Sequence, residues 1–381
     1  VVNRGVPLGT VAGVRIRAHW SVLLIAGLIA WGVGGTVIPA VAPETNPVAA
    51  WSIGVLTAVL LIASLTAHEL AHALVAKQRG IEVEGITLWL FGGMAQISSD
   101  WAHPNSEMLV AAAGPAVTLV LALFFTALAY VFAVLGAPPL AVVVPEWLAT
   151  VNVVLLVFNL VPAFPLDGGR ILRGVLWRFT NNRLAATRLA ARGGRLFAYL
   201  LVIGGFVELF ATSSVQGLWL VLIGWFLANA SRSEERGERA RHALEGVHVA
   251  DVMSRDPLAV PSWITVELLI DQYVLGHDFT SFPTHNIDGT IEGLVTLPAI
   301  RRVAPNRRSK TRARDVALPL NQVPRAEPDE LVTDLLKRLG PGSNGRALVF
   351  DGDQLVGIVS PSDLARLLHA GSDRARRRTA A

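Results

Sequence analysis

His68-Glu69-Leu70-Ala71-His72 sets two imidazoles four residues apart with a carboxylate between them. On a helix, residues i and i+4 share one face, so both rings can reach a single ion. The H-E-x-x-H pattern then stands Glu69 beside the water on that ion, where the pKa of the water falls from 15.7 to about 7. A catalytic zinc takes three protein ligands and keeps one position open. The chain has no cysteine, so the third ligand is His, Asp or Glu. Thiolate sites, disulfides and a cysteine nucleophile are excluded. Asp167 is the candidate. It closes the stretch Asn159-Leu160-Val161-Pro162-Ala163-Phe164-Pro165-Leu166-Asp167-Gly168-Gly169, where prolines and glycines stop regular helix. That predicts Asp167 at the cytoplasmic end of its helix, level with His68 and His72. Taken alone, Asp167 is equally a turn residue. The alternative for the histidine pair is a polar packing cluster or a transporter's proton relay.

The elements that carry these residues are apolar. Of 381 residues, 52% are hydrophobic and 16% charged, whereas a soluble domain carries about 25% charged residues. Six runs approach the roughly 20 apolar residues that span a bilayer: about Trp20–Ala40, Ala50–Ala76, Met108–Leu135, Trp147–Phe164, Leu196–Ala211 and Gly217–Ala230. No cleavable signal peptide is evident before the first. Stretches 41–50, 136–146 and 212–216 contain no lysine or arginine. Basic residues collect before the first run, at Lys77 and Arg79, through Arg170, Arg173, Arg178, Arg183, Arg188, Arg192 and Arg195, and at Arg232, Arg236, Arg239 and Arg241. By the positive-inside rule both termini and the site face the cytoplasm. The arginines and the net charge of +4 are topology determinants, and no nucleic-acid partner is expected. Of nine histidines, only His68 and His72 lie well inside an expected span. A charge at mid-bilayer costs about 2.5–3.5 kcal/mol on insertion scales, so Glu69 signals function.

Residues 81–101 are apolar, β-like and broken by Gly92 and Gly93. Non-helical backbone at membrane depth survives only against protein or a water-filled cavity, so this segment is expected to be a hairpin or re-entrant loop. Its edge could hold an unwound substrate as an added strand.

Together these motifs resemble the site-2 protease family of intramembrane zinc metalloproteases. The resemblance rests on His68-Glu69-x-x-His72, on Asn159…Pro162…Pro165-Leu166-Asp167-Gly168-Gly169, on Phe91-Gly92-Gly93-Met94-Ala95, and on Ala113-Gly114-Pro115. It covers roughly residues 1–230. It implies one zinc on His68, His72 and Asp167, with Glu69 as general base and acid. It also implies that Asn159 positions substrate or stabilises the oxyanion; the hairpin edge offers Gly92, Gly93 and Met94 as substrate contacts. The implied substrate is a membrane-tethered regulator such as an anti-sigma factor, cut within the lipid.

Past a charged connector at 231–247 the chain turns soluble and α/β, with two weak copies of one unit at 248–304 and 313–371. Each opens with Asp-Val (Asp251-Val252, Asp315-Val316) and closes with a Gly-anchored strand (Gly293-Leu294-Val295, Gly357-Ile358-Val359). They resemble tandem CBS domains. That implies a regulatory or dimerising module, and an adenine nucleotide at Ser360, Ser362 and Asp363. Ala299 stands where the first copy's aspartate would be, and Ser362-Asp363 could simply cap the last helix. The basic linker 305–314 and the tail 372–381 are expected to be solvated. The expected fold is therefore an α-helical polytopic membrane domain, of about six spans with a β-like re-entrant hairpin, plus a soluble α/β tandem CBS domain. The competing readings are a CBS-regulated transporter, whose internal symmetry is not visible in residues 1–230, and a non-catalytic membrane sensor.

Overall fold

Long uncharged runs can satisfy their backbone in lipid only as helix, and among the described residues five helices are long and apolar enough to cross a membrane. They are α1 (Ser21–Val41), α2 (Pro47–Gln78), α3 (Pro104–Val134), α4 (Pro139–Leu160) and α6 (Arg183–Thr212). The protein is a multi-pass membrane protein. The computed structural model describes residues 5–89, 92–97, 103–212, 215–277, 279–339 and 343–367. Leu90, Phe91, residues 98–101 of the expected hairpin, Ser213, Ser214 and the tail 372–381 lie outside them. Two compact units divide the chain, Val1–Glu238 and Arg239–Ala381.

In the first unit, the Asn46 side chain accepts from Val48 N and starts α2 behind Pro47. Hydroxyls inside the spans are paired within their own helices. Thr57, Ser64, Thr66 and Thr126 each donate to the carbonyl four residues earlier, as apolar surroundings require. Small residues let helices close up. A Cβ on Gly54 would stand 2.5 Å from the Ala30 carbonyl oxygen, so α1 and α2 touch through backbone.

Three features of the helices differ from the sequence expectation. The arginine-rich stretch 170–195 is not a loop. It forms α5 (Asp167–Thr180), the turn at 181–182 and the start of α6. α5 is strongly amphipathic, with Arg173 buried, Arg170 half-buried and Arg178 exposed. The expected sixth run is the first half of α7 (Gln216–Leu244), whose second half is charged. α4 also begins eight residues before the expected Trp147, with Pro145 inside it.

The segment after α2 is a hairpin, β3 (Val83–Trp89) and β4 (Gly92–Ile97). An N-terminal hairpin with no sequence signal strong enough to announce it, β1 (Val6–Val11) and β2 (Val14–Ala18), extends it into one sheet of order β1-β2-β3-β4. β2 runs parallel to β3 with Ile16 opposite Ile86, and β3 runs antiparallel to β4 with Leu88 opposite Gly93. One face of the sheet buries Val14, Ile16, Ile86 and Leu88 against Ala73, Leu70 and Leu74 of α2. The sheet therefore sits on the helix that carries the H-E-x-x-H motif.

The second unit holds two four-stranded sheets. One contains β6 (Val260–Pro261), β7 (Ser281–His285), β8 (Ile291–Thr296) and β9 (Leu318–Pro319), in that order. The other orders β10 (Arg325–Ala326), β11 (Ala347–Asp351), β12 (Gln354–Val359) and β5 (Ser254–Arg255). The opening strand of each sequence copy thus completes the other copy's sheet. Each copy's Asp-Val pair ends a one-turn helix whose aspartate caps it: His248 N donates to Asp251 Oδ2 at 3.2 Å and Arg312 N to Asp315 Oδ2 at 2.8 Å. The linker 305–314 is not simply solvated. Val266 N donates to Thr311 O at 2.8 Å and Ala313 N to Ile264 O at 2.8 Å. Arg346 crosses between copies to Thr280 Oγ1 at 3.1 Å, and burial lowers its pKa from the ordinary arginine value.

Candidate metal centre

Helical spacing brings His68 and His72 onto one face of α2, and α5 delivers Asp167 to the same point. His68 Nε2 and His72 Nε2 are 3.1 Å apart. Asp167 Oδ2 lies 3.2 Å from the first and 3.3 Å from the second. Tetrahedral zinc with bonds of about 2.0–2.1 Å sets its ligand atoms roughly 3.3 Å apart, so the three atoms outline one face of such a site. Among the described residues, this is the cluster of three metal-ligating side chains that could hold an ion.

The rings are oriented from behind. His72 Nδ1 lies 2.7 Å from the Val110 carbonyl oxygen. A carbonyl only accepts, so Nδ1 carries the proton and Nε2 presents its lone pair. Thr118 Oγ1 donates to the Gly114 carbonyl at 3.2 Å. Its lone pair then receives Nδ1–H of His68 at 2.8 Å, which bares His68 Nε2 in turn. Val110, Gly114 and Thr118 all belong to α3. A Cβ on Gly114 would overlap the Nε2 atoms of both histidines, so only glycine leaves room there. Ala113-Gly114-Pro115 stands out in the sequence and Thr118 does not, since one hydroxyl in an apolar helix carries no distinguishing pattern.

Glu69 points toward the sheet. Gly93 N of β4 donates to Glu69 Oε1 at 3.0 Å, and a Cβ on Gly93 would overlap the Glu69 side chain. The sheet edge therefore meets the carboxylate directly. Gly92, Gly93 and Met94 all lie in β4, paired with Trp89, Leu88 and Thr87 on one side. Among the described residues β4 is the outer strand of its sheet.

Asp167 is not at the end of its span. α4 stops at Leu160, a turn follows through Val161–Leu166, and Asp167 is the first residue of α5. The prolines end one helix as expected, but Gly168 and Gly169 continue the next. A Cβ at Gly168 would overlap the Leu160 and Val161 carbonyls, so the second helix can start only this close to the first without side chains there. Asn159 is half-buried in the last turn of α4, and its side chain makes no hydrogen bond among the described residues.

In the second unit, Ser360 precedes a helix at 361–367. Asp363 Oδ2 accepts from Ser360 N at 2.9 Å and from Ser360 Oγ at 2.6 Å. Its Oδ1 accepts from Ser254 Oγ at 2.9 Å and from Arg366 Nη2 at 2.7 Å. The carboxylate thus reaches back to the Ser360 amide, which is one half of a capping box, and is filled by three further donors. Ser362 is exposed.

Comparison with known proteins follows the same division. Residues 56–142 and 140–203 match "Peptidase family M50", and residues 313–370 match "CBS domain". The chain is 46% identical over 364 residues to "Putative zinc metalloprotease Rip3" of Mycobacterium tuberculosis, covering 95% of this chain and 92% of that protein. It is 32% identical over 303 residues to "Putative zinc metalloprotease sll0528" of Synechocystis, covering 79% of each. Among solved structures, "Site-2 Protease from Methanocaldococcus jannaschii" aligns with a TM-score of 0.41 and 27% identity, covering 61% of this chain and 95% of that one.

Proposed function

Since the chain belongs to peptidase family M50, we propose that His68, His72 and Asp167 hold its zinc and that Glu69 is its general base and acid. The protein is an intramembrane zinc metalloendopeptidase of the site-2 protease type with a CBS regulatory module. The observation that carries the residue assignment is the triangle of two bare imidazole nitrogens and one carboxylate oxygen, 3.1–3.3 Å on its edges.

A bound zinc supplies Lewis acidity toward the scissile carbonyl and acidifies its water to a pKa of about 7. Glu69 Oε2 takes the proton of the attacking water and returns it to the leaving amine nitrogen. Glu69 Oε1 stays on Gly93 N–H, which keeps the carboxylate aimed. Asn159 offers a neutral donor from the last turn of α4 to the developing oxyanion or to the substrate backbone. A substrate helix hides its carbonyls, so it must unwind before attack. The edge of β4 at Gly92, Gly93 and Met94, outermost among the described strands, receives the unwound strand, and the sheet packs against α2.

The substrate class is a membrane-tethered regulatory protein, with an anti-sigma factor as the type. The apolar half of α7 is the sixth span, and both termini and the site lie on the cytoplasmic side, as the arginine distribution supports. Residues 1–230 form the protease domain, 231–247 the connector, 248–304 and 313–371 the CBS copies. The exposed apolar side chains of Leu275, Phe279 and Ile287 support a homodimer through the CBS pair. An adenine nucleotide at Ser360, Ser362 and Asp363 would have to displace the donors that now saturate Asp363.

The test is Glu69→Gln in purified, zinc-loaded enzyme with a transmembrane substrate. Zinc content should stay at the wild-type level while cleavage falls by about 10²–10⁴-fold. Cleavage at the wild-type rate would overturn the assignment of the base.

A further inference from the structure

The metal carboxylate is carried by a turn, and the turn is held by a helix far along the chain. Val161–Leu166 links α4 to Asp167 and has no regular hydrogen-bond ladder of its own. Its side chains are seated between α6 and α7: Ala163 and Leu166 pack with Ala198, Leu227 and Ala228, and Phe164 packs with Ala190 and Ala191. Its polar atoms are held separately. Ser231 of α7, fully buried, donates its hydroxyl to the Phe164 carbonyl at 2.7 Å. Gly194 of α6 clears the space, since a Cβ there would stand 2.8 Å from Ser231 Oγ and 3.0 Å from Phe164 N.

A second hold acts on α5 itself, two turns after Asp167. The Arg173 side chain is 3% exposed. Its Nε donates to Glu107 Oε1 of α3 at 2.6 Å, and its Nη1 donates to Glu234 Oε1 of α7 at 3.0 Å. Its guanidinium carbon also lies 5.0 Å from the centre of the Phe164 ring. Helices α3, α5 and α7 are thus tied at one buried cation. α3 is the helix that orients both histidines. The same cation and the Ser231 hydroxyl therefore fix where Asp167 stands relative to those rings.

We propose that Ser231, Arg173 and Glu234 are positioning residues for the metal site, acting through the Phe164–Asp167 turn. None of them reaches the ligand triangle. Their effect is to set the place of Asp167 Oδ2 to within the few tenths of an ångström that a tetrahedral site tolerates. The proposal rests on the assignment of Asp167 as a zinc ligand.

The experiment measures zinc dissociation constants by chelator competition in the full chain, for wild type, Ser231→Ala, Asp167→Asn and the double variant. Ser231→Ala should weaken zinc about tenfold, the range of outer-sphere partners, and Asp167→Asn should weaken it further. The double variant should bind as Asp167→Asn alone does, because Ser231 acts only through that carboxylate. A general loss of packing would instead multiply the two losses, and that result overturns the proposal. Glu234→Gln serves as the milder second variant, since the Glu234 side chain is 36% exposed and its loss leaves Arg173 paired with Glu107. It should weaken zinc by a smaller factor with the same lack of additivity. Wild-type zinc affinity in both Ser231→Ala and Glu234→Gln removes the clamp and leaves the ligand assignment standing. Wild-type affinity in Asp167→Asn removes the ligand assignment, and the clamp with it.

Discussion

Asp167 and Asp363 are both buried carboxylates at the start of a helix, and they stand in opposite company. Around Asp363 every neighbour donates: the Ser360 amide and hydroxyl, the Ser254 hydroxyl and the Arg366 guanidinium. Around Asp167 the near neighbours are the Nε2 atoms of His68 and His72. Both rings have their Nδ1 protons turned toward α3, so neither nitrogen has a proton to give while the ring is neutral. Three acceptor atoms within 3.3 Å repel unless a cation sits among them. The same residue type is therefore placed to serve as the proposed ligand in the first unit and as a helix cap in the second. The donor count around it makes the distinction, since four donors saturate one carboxylate.

The largest effect should come from removing one acceptor from the triangle. His68→Ala should abolish cleavage and drop the zinc content of the purified protein toward zero, read by metal analysis. A full zinc complement in that variant would mean the three atoms are not the ligand set. Glu69 lies between the two extremes, with one donor among the described residues, Gly93 N. Gly93→Val should push the carboxylate aside and lower cleavage about 10²-fold, the scale of a misplacement near 1 Å, while zinc stays bound. Equal cleavage by this variant would show that the sheet edge does not aim the base.

A smaller effect tests the tautomer argument. Thr118→Val keeps the shape and removes the acceptor for His68 Nδ1–H. Zinc affinity should fall about tenfold, and Thr118→Ser should recover it. Failure of serine to recover it would assign the loss to packing. The smallest effect on catalysis belongs to the second unit. Asp363→Ala should lower stability there by about 1–2 kcal/mol, seen as an earlier unfolding transition. Zinc content and the cleavage rate of the folded enzyme should be unchanged. A loss of zinc in Asp363→Ala would erase the contrast between the two carboxylates.

Much of the first unit was legible as sequence. Spacing put His68 and His72 on one helical face, and run length announced the spans, because lipid leaves apolar backbone few alternatives. The glycines at 92 and 93, which suggest a break in the sequence, open β4 and pair with Trp89 and Leu88 of β3. Legibility failed where partners come from separate segments. Thr118, Ser231 and Arg173 are ordinary residues in their own helices, and their roles exist only across contacts of 50 to 67 positions. The arginines from 170 to 195 read as a loop because charge signals topology, yet buried acids such as Glu107 let Arg173 sit inside a helix packing. In the second unit the repeat was visible, but not that each copy lends its first strand to the other, since two-residue strands carry no period to read.

Local chemistry along the chain determined which groups could bind zinc, which segments enter lipid, and which half carries the CBS copies. Those properties follow from residue type and short spacing, and no folding is needed to state them. Only the tertiary structure decided that Asp167 opens a helix rather than closing one, that its oxygen meets two bare nitrogens, and that Asp363 meets donors instead. The physical reason is that a carboxylate's role depends on the protons pointed at it, and those come from segments that adjoin it only after packing.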